Sequence, residues 1–136
     1  MTRGERNNNP GNIRLSPTGE AWIGEQANED DPAFCQFDTP EDGIRALAKT
    51  LIAYQRKHNL NTVREMIGRW APPSENDTDA YVYAVSQDMD VTPTQTLDLN
   101  DSATLANLCK AIIRHENGRV IYSDDQINEG AQKALT

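Results

Sequence analysis

From residue 40 onward, apolar residues recur at helical spacing. Ile44, Leu47, Ala48, Leu51 and Ile52 form one stripe, as on a helix packed along one face. Thr39 suits the N-cap, Pro40 the first turn, and Glu41 and Asp42 the positive end of the dipole. This helix is predicted to run to about His58. A second helix starts at Asn61 or Thr62, carries Val63, Met66, Ile67 and Trp70, and is stopped by Pro72 and Pro73. A third starts near Asp77 or Thr78 and carries Tyr81, Val82 and Val85. "VTPTQTLDLN" reads as loop. A fourth, capped by Asp101 or Ser102, carries Leu105, Leu108, Cys109, Ile112 and Ile113 and ends at Gly118. The last opens on a Ser123–Gln126 capping box and keeps Ile127, Ala131 and Ala134 on one side.

Before residue 40 this periodicity is lost. Trp22, Ile23, Phe34 and Phe37 read as strand residues of a small irregular hairpin, with "SPTGE" as a turn and "GEQANEDDP" as its loop. "RNNNPGNIR" suits neither helix nor strand, because Asn and Gly favour turns and Pro lacks a donor. The expectation is a mainly α domain of the α+β type, with about five helices and a small β-region near the N-terminus. A length of 136 residues suits one domain.

Charge narrows the function. The net charge is -8, which argues against a nucleic-acid partner and sits poorly with any anionic polymer. The imbalance is local: from Glu20 to Asp42 there are eight acidic residues and no basic one, and the stretch to Arg69 is then rich in Arg and Lys. No apolar run approaches the roughly 18 residues of a membrane span, so no membrane insertion is expected. The first residues lack the apolar core of a signal peptide, which implies synthesis in the cytoplasm. Cys35 and Cys109 have apolar neighbours and read as buried thiols, or as one disulfide in an oxidising compartment. With only His58 and His115, no metal site is expected, and no glycine-rich phosphate loop signals a cofactor.

The most informative stretch is "AIIRHENG". Glu116 lies four residues after Ile112 and three after Ile113, so it shares the apolar face. The C-terminal end of a helix disfavours a carboxylate, and partial desolvation favours a protonated one. A carboxyl that keeps its proton is what a general acid needs. The competing reading is a frayed helix end, with Glu116 in water or paired with Arg114 or Arg119. In "RWAPPSENDTDAYVYAV", Glu75 is a candidate second carboxylate, against ordinary capping of the following helix. Asn8, Asn9 and Asn12 offer amides suited to hydroxyl and acetamido groups, or they satisfy their own turn. Asn76, Tyr81 and His115 are further candidate substrate contacts, although Tyr81 and Tyr83 also suit plain packing. Glu5 ranks below Glu116, because no apolar face lies near it to desolvate it.

The series "RGERNNNPGNIR", "WIG", "FCQFDTPEDGIRALAKTLIAYQRK", "RWAPPSENDTDAYVYAVS" and "AIIRHENG" resembles a phage and prophage family. Its members are often labelled virion or structural proteins and are similar to the lytic protein of enveloped double-stranded RNA phages. The resemblance implies a lysozyme-like fold and cleavage of peptidoglycan, by a lytic transglycosylase or by a hydrolytic muramidase or glucosaminidase. Its partners would be glycan strands and other virion proteins. Glu116 would be the acid, and Trp70 or Tyr81 would floor a sugar subsite. The enzyme would act at the wall from the virion or after release by a holin. "NNPGNIR" and "FCQFDTPEDGI" also look like the turn and helix that follow the Glu-bearing helix in bacterial glucosaminidases and transglycosylases. Here that helix comes last, as in a circular permutation. Glu116 and the Asn8–Asn12 loop should then line one cleft. The rival is a lysozyme-like binding or structural protein that does not cut.

Overall fold

The structure, a computed structural model, describes residues 1–27 and 30–136. Its elements are six helices: α1 (Arg3–Arg6), α2 (Pro40–His58), α3 (Val63–Trp70), α4 (Thr78–Met89), α5 (Ser102–Asn117) and α6 (Asp124–Leu135). The fold is mainly α. The five longer helices start where their caps predict. Thr39, Thr62, Asp77 and Ser123 each accept a backbone N–H through the side chain, and Asp101 caps α5 without such a bond. Left-handed residues Asn59, Asp90 and Gly118 end α2, α4 and α5.

The bundle is organised on α2, which packs against α6, α5 and α3, while α5 also meets α4 and α6. Ile44, Leu47, Leu51, Met66, Ile67, Leu105, Leu108, Ile112 and Ile113 are fully buried between them. Each such side chain contributes about 1.5–3 kcal/mol through the apolar surface it removes from water. Gly130 lets α6 approach closely: a Cβ there would meet Ile44 Cβ at 2.7 Å.

Two expectations are corrected. First, a sixth helix precedes the five: α1 is a single turn whose Thr2–Glu5 capping box is complete. Glu5 is buried, contrary to the view that nothing near it could desolvate it. Second, the expected β-region contains no named strand among the described residues, only the isolated bridges Arg14–Phe34 and Glu25–Phe37. Side chains satisfy the groups a ladder would use. Asn9 donates to the carbonyls of Ile13 and Cys35 at 2.9 Å each, and its own oxygen accepts the Ile13 N–H. Asp31 Oδ1 accepts the N–H groups of Ala33 and Phe34. Trp22 is half-buried and Ile23 is exposed. The expected loop at residues 24–32 includes Asn28 and Glu29, which lie outside the described residues.

The asparagine run is therefore a folded hub. Asn8 and Asn12 take left-handed backbone, with φ of 51° and 52°, which Asn tolerates better than other side-chain-bearing residues. Asn7 and Asn9 are buried. Asn117, at the end of α5, donates to the Pro10 carbonyl and accepts from the Thr2 hydroxyl. These bonds clip the N-terminal segment to the end of α5. Beside them, Arg119 grips Glu5 through two bonds of 3.1 and 2.9 Å.

The grip on Glu5 makes stability depend on acid. The Arg119 guanidinium first, and the Thr2 N–H next, hold the Glu5 carboxyl down at about 2, against an ordinary 4.5. A depressed carboxyl stabilises the fold fully above its unfolded value and loses that contribution as pH falls through its folded value. The urea midpoint is expected to fall as pH drops from about 4.5 towards 2. Glu5→Gln should be less stable than wild type at neutral pH and flatter across that window. A variant curve parallel to wild type there would refute this role for the pair.

Candidate active site

An open cleft of ≈ 560 Å³ lies between the helices and the N-terminal segment. Thr50 and Tyr54, one turn apart on α2, line one part of it. Trp70 and Ala71 close the end of α3, and Glu75 and Asn76 follow from the α3–α4 turn. Gly11–Arg14 and Phe34 come from the N-terminal segment, and Glu116 from the last turn of α5. Glu116 and Asn12 are thus on one cleft, although 104 residues separate them in the chain.

A directed set of bonds holds Glu116. Tyr81 Oη lies 2.7 Å from Glu116 Oε2, and Trp70 Nε1 lies 3.1 Å from Tyr81 Oη. An indole N–H only donates, so the Tyr81 oxygen accepts from Trp70 and its proton points to Glu116. Burial, and then the Glu116 charge, push the Tyr81 phenol far above its ordinary range. It stays a neutral donor at any working pH. Asn12 Nδ2 faces Glu116 Oε1 at 3.5 Å, and Asn12 Oδ1 is buried without a partner among the described residues. The two cations that could have drawn Glu116 away are engaged elsewhere: Arg114 on Asp88, Arg119 on Glu5.

The other sequence candidates divide. Glu75 and Asn76 line the cleft and are exposed. Asn8 donates to the backbone carbonyls of Phe37 and Asp38, and Asn9 is spent on Ile13 and Cys35, so neither lines the cleft. Tyr81 is 2 % exposed, which leaves it supporting Glu116 rather than forming a sugar floor. His115 is exposed and stacks on Tyr81 with ring centroids 3.8 Å apart. The sequence reading missed Thr50, Tyr54, Arg14 and Phe34. The spacing of Thr50 and Tyr54 along one edge of the α2 stripe was their only local signal.

Cys109 is a free, buried thiol, so it does not pair with Cys35. Among the described residues no group of three or more His, Cys, Asp or Glu side chains could hold a metal ion. Nor is any helix among them long and apolar enough to cross a membrane.

Fold and site together define a small helical-bundle protein with an open polar cleft built around one supported carboxylate. The chain belongs to the family of Protein P5 of Pseudoalteromonas phage PM2. It is 42% identical to that protein over 129 residues, spanning 94% of this chain and 79% of the relative. No family model matches the chain.

Proposed function

We propose that this protein cleaves the β-1,4-linked amino-sugar backbone of peptidoglycan as a lytic transglycosylase, with Glu116 as acid and then base. The observation that carries the reading is the setting of Glu116: a cleft carboxylate held by the buried Tyr81 hydroxyl and facing the Asn12 amide. Protonated Glu116 gives its proton to the glycosidic oxygen as the C1–O bond breaks. The resulting carboxylate then takes the proton of the sugar's 6-hydroxyl, whose oxygen closes on C1. The product is a 1,6-anhydro sugar, and no water is consumed. The amides of Asn12 and Asn76 suit acetamido and carbonyl groups, and the Tyr54 and Trp70 rings offer apolar faces to a sugar.

Hydrolysis would need a second carboxylate, roughly 5–5.5 Å away for retention or 6.5–9.5 Å for inversion. Glu75 lines the same cleft and is the candidate. The single-acid reading is favoured because Glu75 is exposed and no side chain among the described residues holds it, whereas Tyr81 and Asn12 hold Glu116. The rival class is a virion component that binds glycan without cutting. The net charge of -8 favours it, since the wall is itself anionic. As an enzyme, the protein would reach the wall within the virion or after release by a holin.

Clearing of purified murein by wild type, across pH and salt, tests the enzyme against the binder. Tyr81→Phe tests the support of Glu116. Losing one charge-assisted bond should lower kcat about tenfold and leave KM nearly unchanged. A rise in KM with kcat intact would instead assign Tyr81 to substrate binding.

A further inference from the structure

We infer that Arg14 forms a carboxylate-binding subsite, so that the cleft selects glycan strands by an acidic substituent carried near the bond at Glu116. The inference rests on the glycan reading above and names what that site recognises.

Arg14 is the one cation among the described residues lining the Glu116 cleft. It also lines a neighbouring cavity of ≈ 520 Å³ bounded by Leu15, Pro17 and Trp22, with Glu20 on its wall but not paired with Arg14. Ile13 and Arg14 are common to both, so the two spaces meet at this side chain. The backbone here is fixed: Arg14 bridges Phe34, and Leu15 N–H donates to the Ala33 carbonyl at 2.9 Å. The guanidinium lies 5.1 Å from the Phe34 ring centroid, a cation–π contact that holds it without using its donors. Four arginines are matched with carboxylates, Arg3 with Asp31, Arg64 with Asp79, Arg114 with Asp88 and Arg119 with Glu5, and of those without an ion pair among the described residues only Arg14 lines the Glu116 cleft. Arg14 has no acidic partner among the described residues. A planar fork of free donors, stacked on a ring and opening onto a cleft, matches a carboxylate. Arg3 lies over the same Phe34 ring at 4.6 Å but is spent on Asp31, so in a chain of net charge -8 Arg14 is the unpaired cation there that offsets the repulsion of an acidic strand. Murein carries such carboxylates on its stem peptides, and a neutral amino-sugar polymer does not.

The test is calorimetric titration of the full chain with a murein disaccharide-peptide, as the free acid and with its carboxylates amidated. Wild type should bind the free acid about tenfold more tightly, and rising salt should shrink the ratio. Arg14→Gln should bring the ratio to about one, and Arg14→Lys should restore part of it. Equal binding of both forms by wild type overturns the inference and leaves the glycan reading standing. Binding of neither form overturns both. The wild-type ratio needs no variant to fold, and a ratio unchanged in a folded Arg14→Gln assigns the preference elsewhere.

Discussion

Glu116→Gln is expected to lower murein clearing by about 10²–10⁴-fold, the usual weight of a positioned general acid. The substitution is nearly isosteric. An amide oxygen at the Oε2 position still accepts the Tyr81 proton, so the Trp70–Tyr81 pair keeps its order. The amide nitrogen would then face Asn12 Nδ2, a donor against a donor. Asn12 can answer by turning its amide, because its oxygen has no partner to lose among the described residues. The melting temperature should therefore stay close to wild type while activity disappears. Glu75→Gln is the internal comparison. On the single-acid reading it lowers clearing only a few-fold. Equal collapse of both variants would point to a carboxylate pair.

Gly43→Ala is expected to be the most damaging small substitution in the fold. Gly43 lies in the first turns of α2, where glycine is disfavoured by roughly 0.5–1 kcal/mol against alanine. Its place is explained by the asparagine hub. A Cβ on Gly43 would collide with the Asn8 carbonyl oxygen and approach Pro10 Cδ at 3.2 Å. The obstacle is backbone, and that backbone is held by the Asn8 side chain on Phe37 and Asp38. It has little room to move aside. Overpacking of this kind costs about 3 kcal/mol, at the upper end of the usual range. For a chain of this size that is about 10 °C in melting temperature. The cleft should suffer with it, since Gly11 to Arg14 follow directly from the displaced loop. A Gly43→Ala protein melting within about 2 °C of wild type would contradict this packing.

The contrast between these residues explains what could be read in advance. Thr39–Pro40 and Ser123–Gln126 start α2 and α6 by local chemistry, and local chemistry is visible in a linear string. The same rule was present in Thr2–Glu5, but a four-residue helix has no apolar period to draw attention to it. Phe34 and Phe37, expected in strands, each make only an isolated bridge. What could not be read is that Asn9 and Asp31 would take the hydrogen bonds of a ladder. At the site, Glu116 was legible because Ile112 and Ile113 fix its helix face. Its holder Tyr81 lies 35 residues away and carries no local mark of that role. Arg14 reaches the cleft through the fastening of the N-terminal segment to the end of α5 by Asn117 and Arg119, a long-range event, and Tyr54 through the packing of α2.

The central claim is that Glu116 cuts glycan by an internal attack, and the mass of the released fragments tests it most directly. Purified murein digested with wild-type protein should yield soluble muropeptides one water lighter than hydrolytic products, and none with Glu116→Gln. Fragments carrying the added water would contradict the transglycosylase, and no fragments from wild type at any pH or salt would contradict the enzyme.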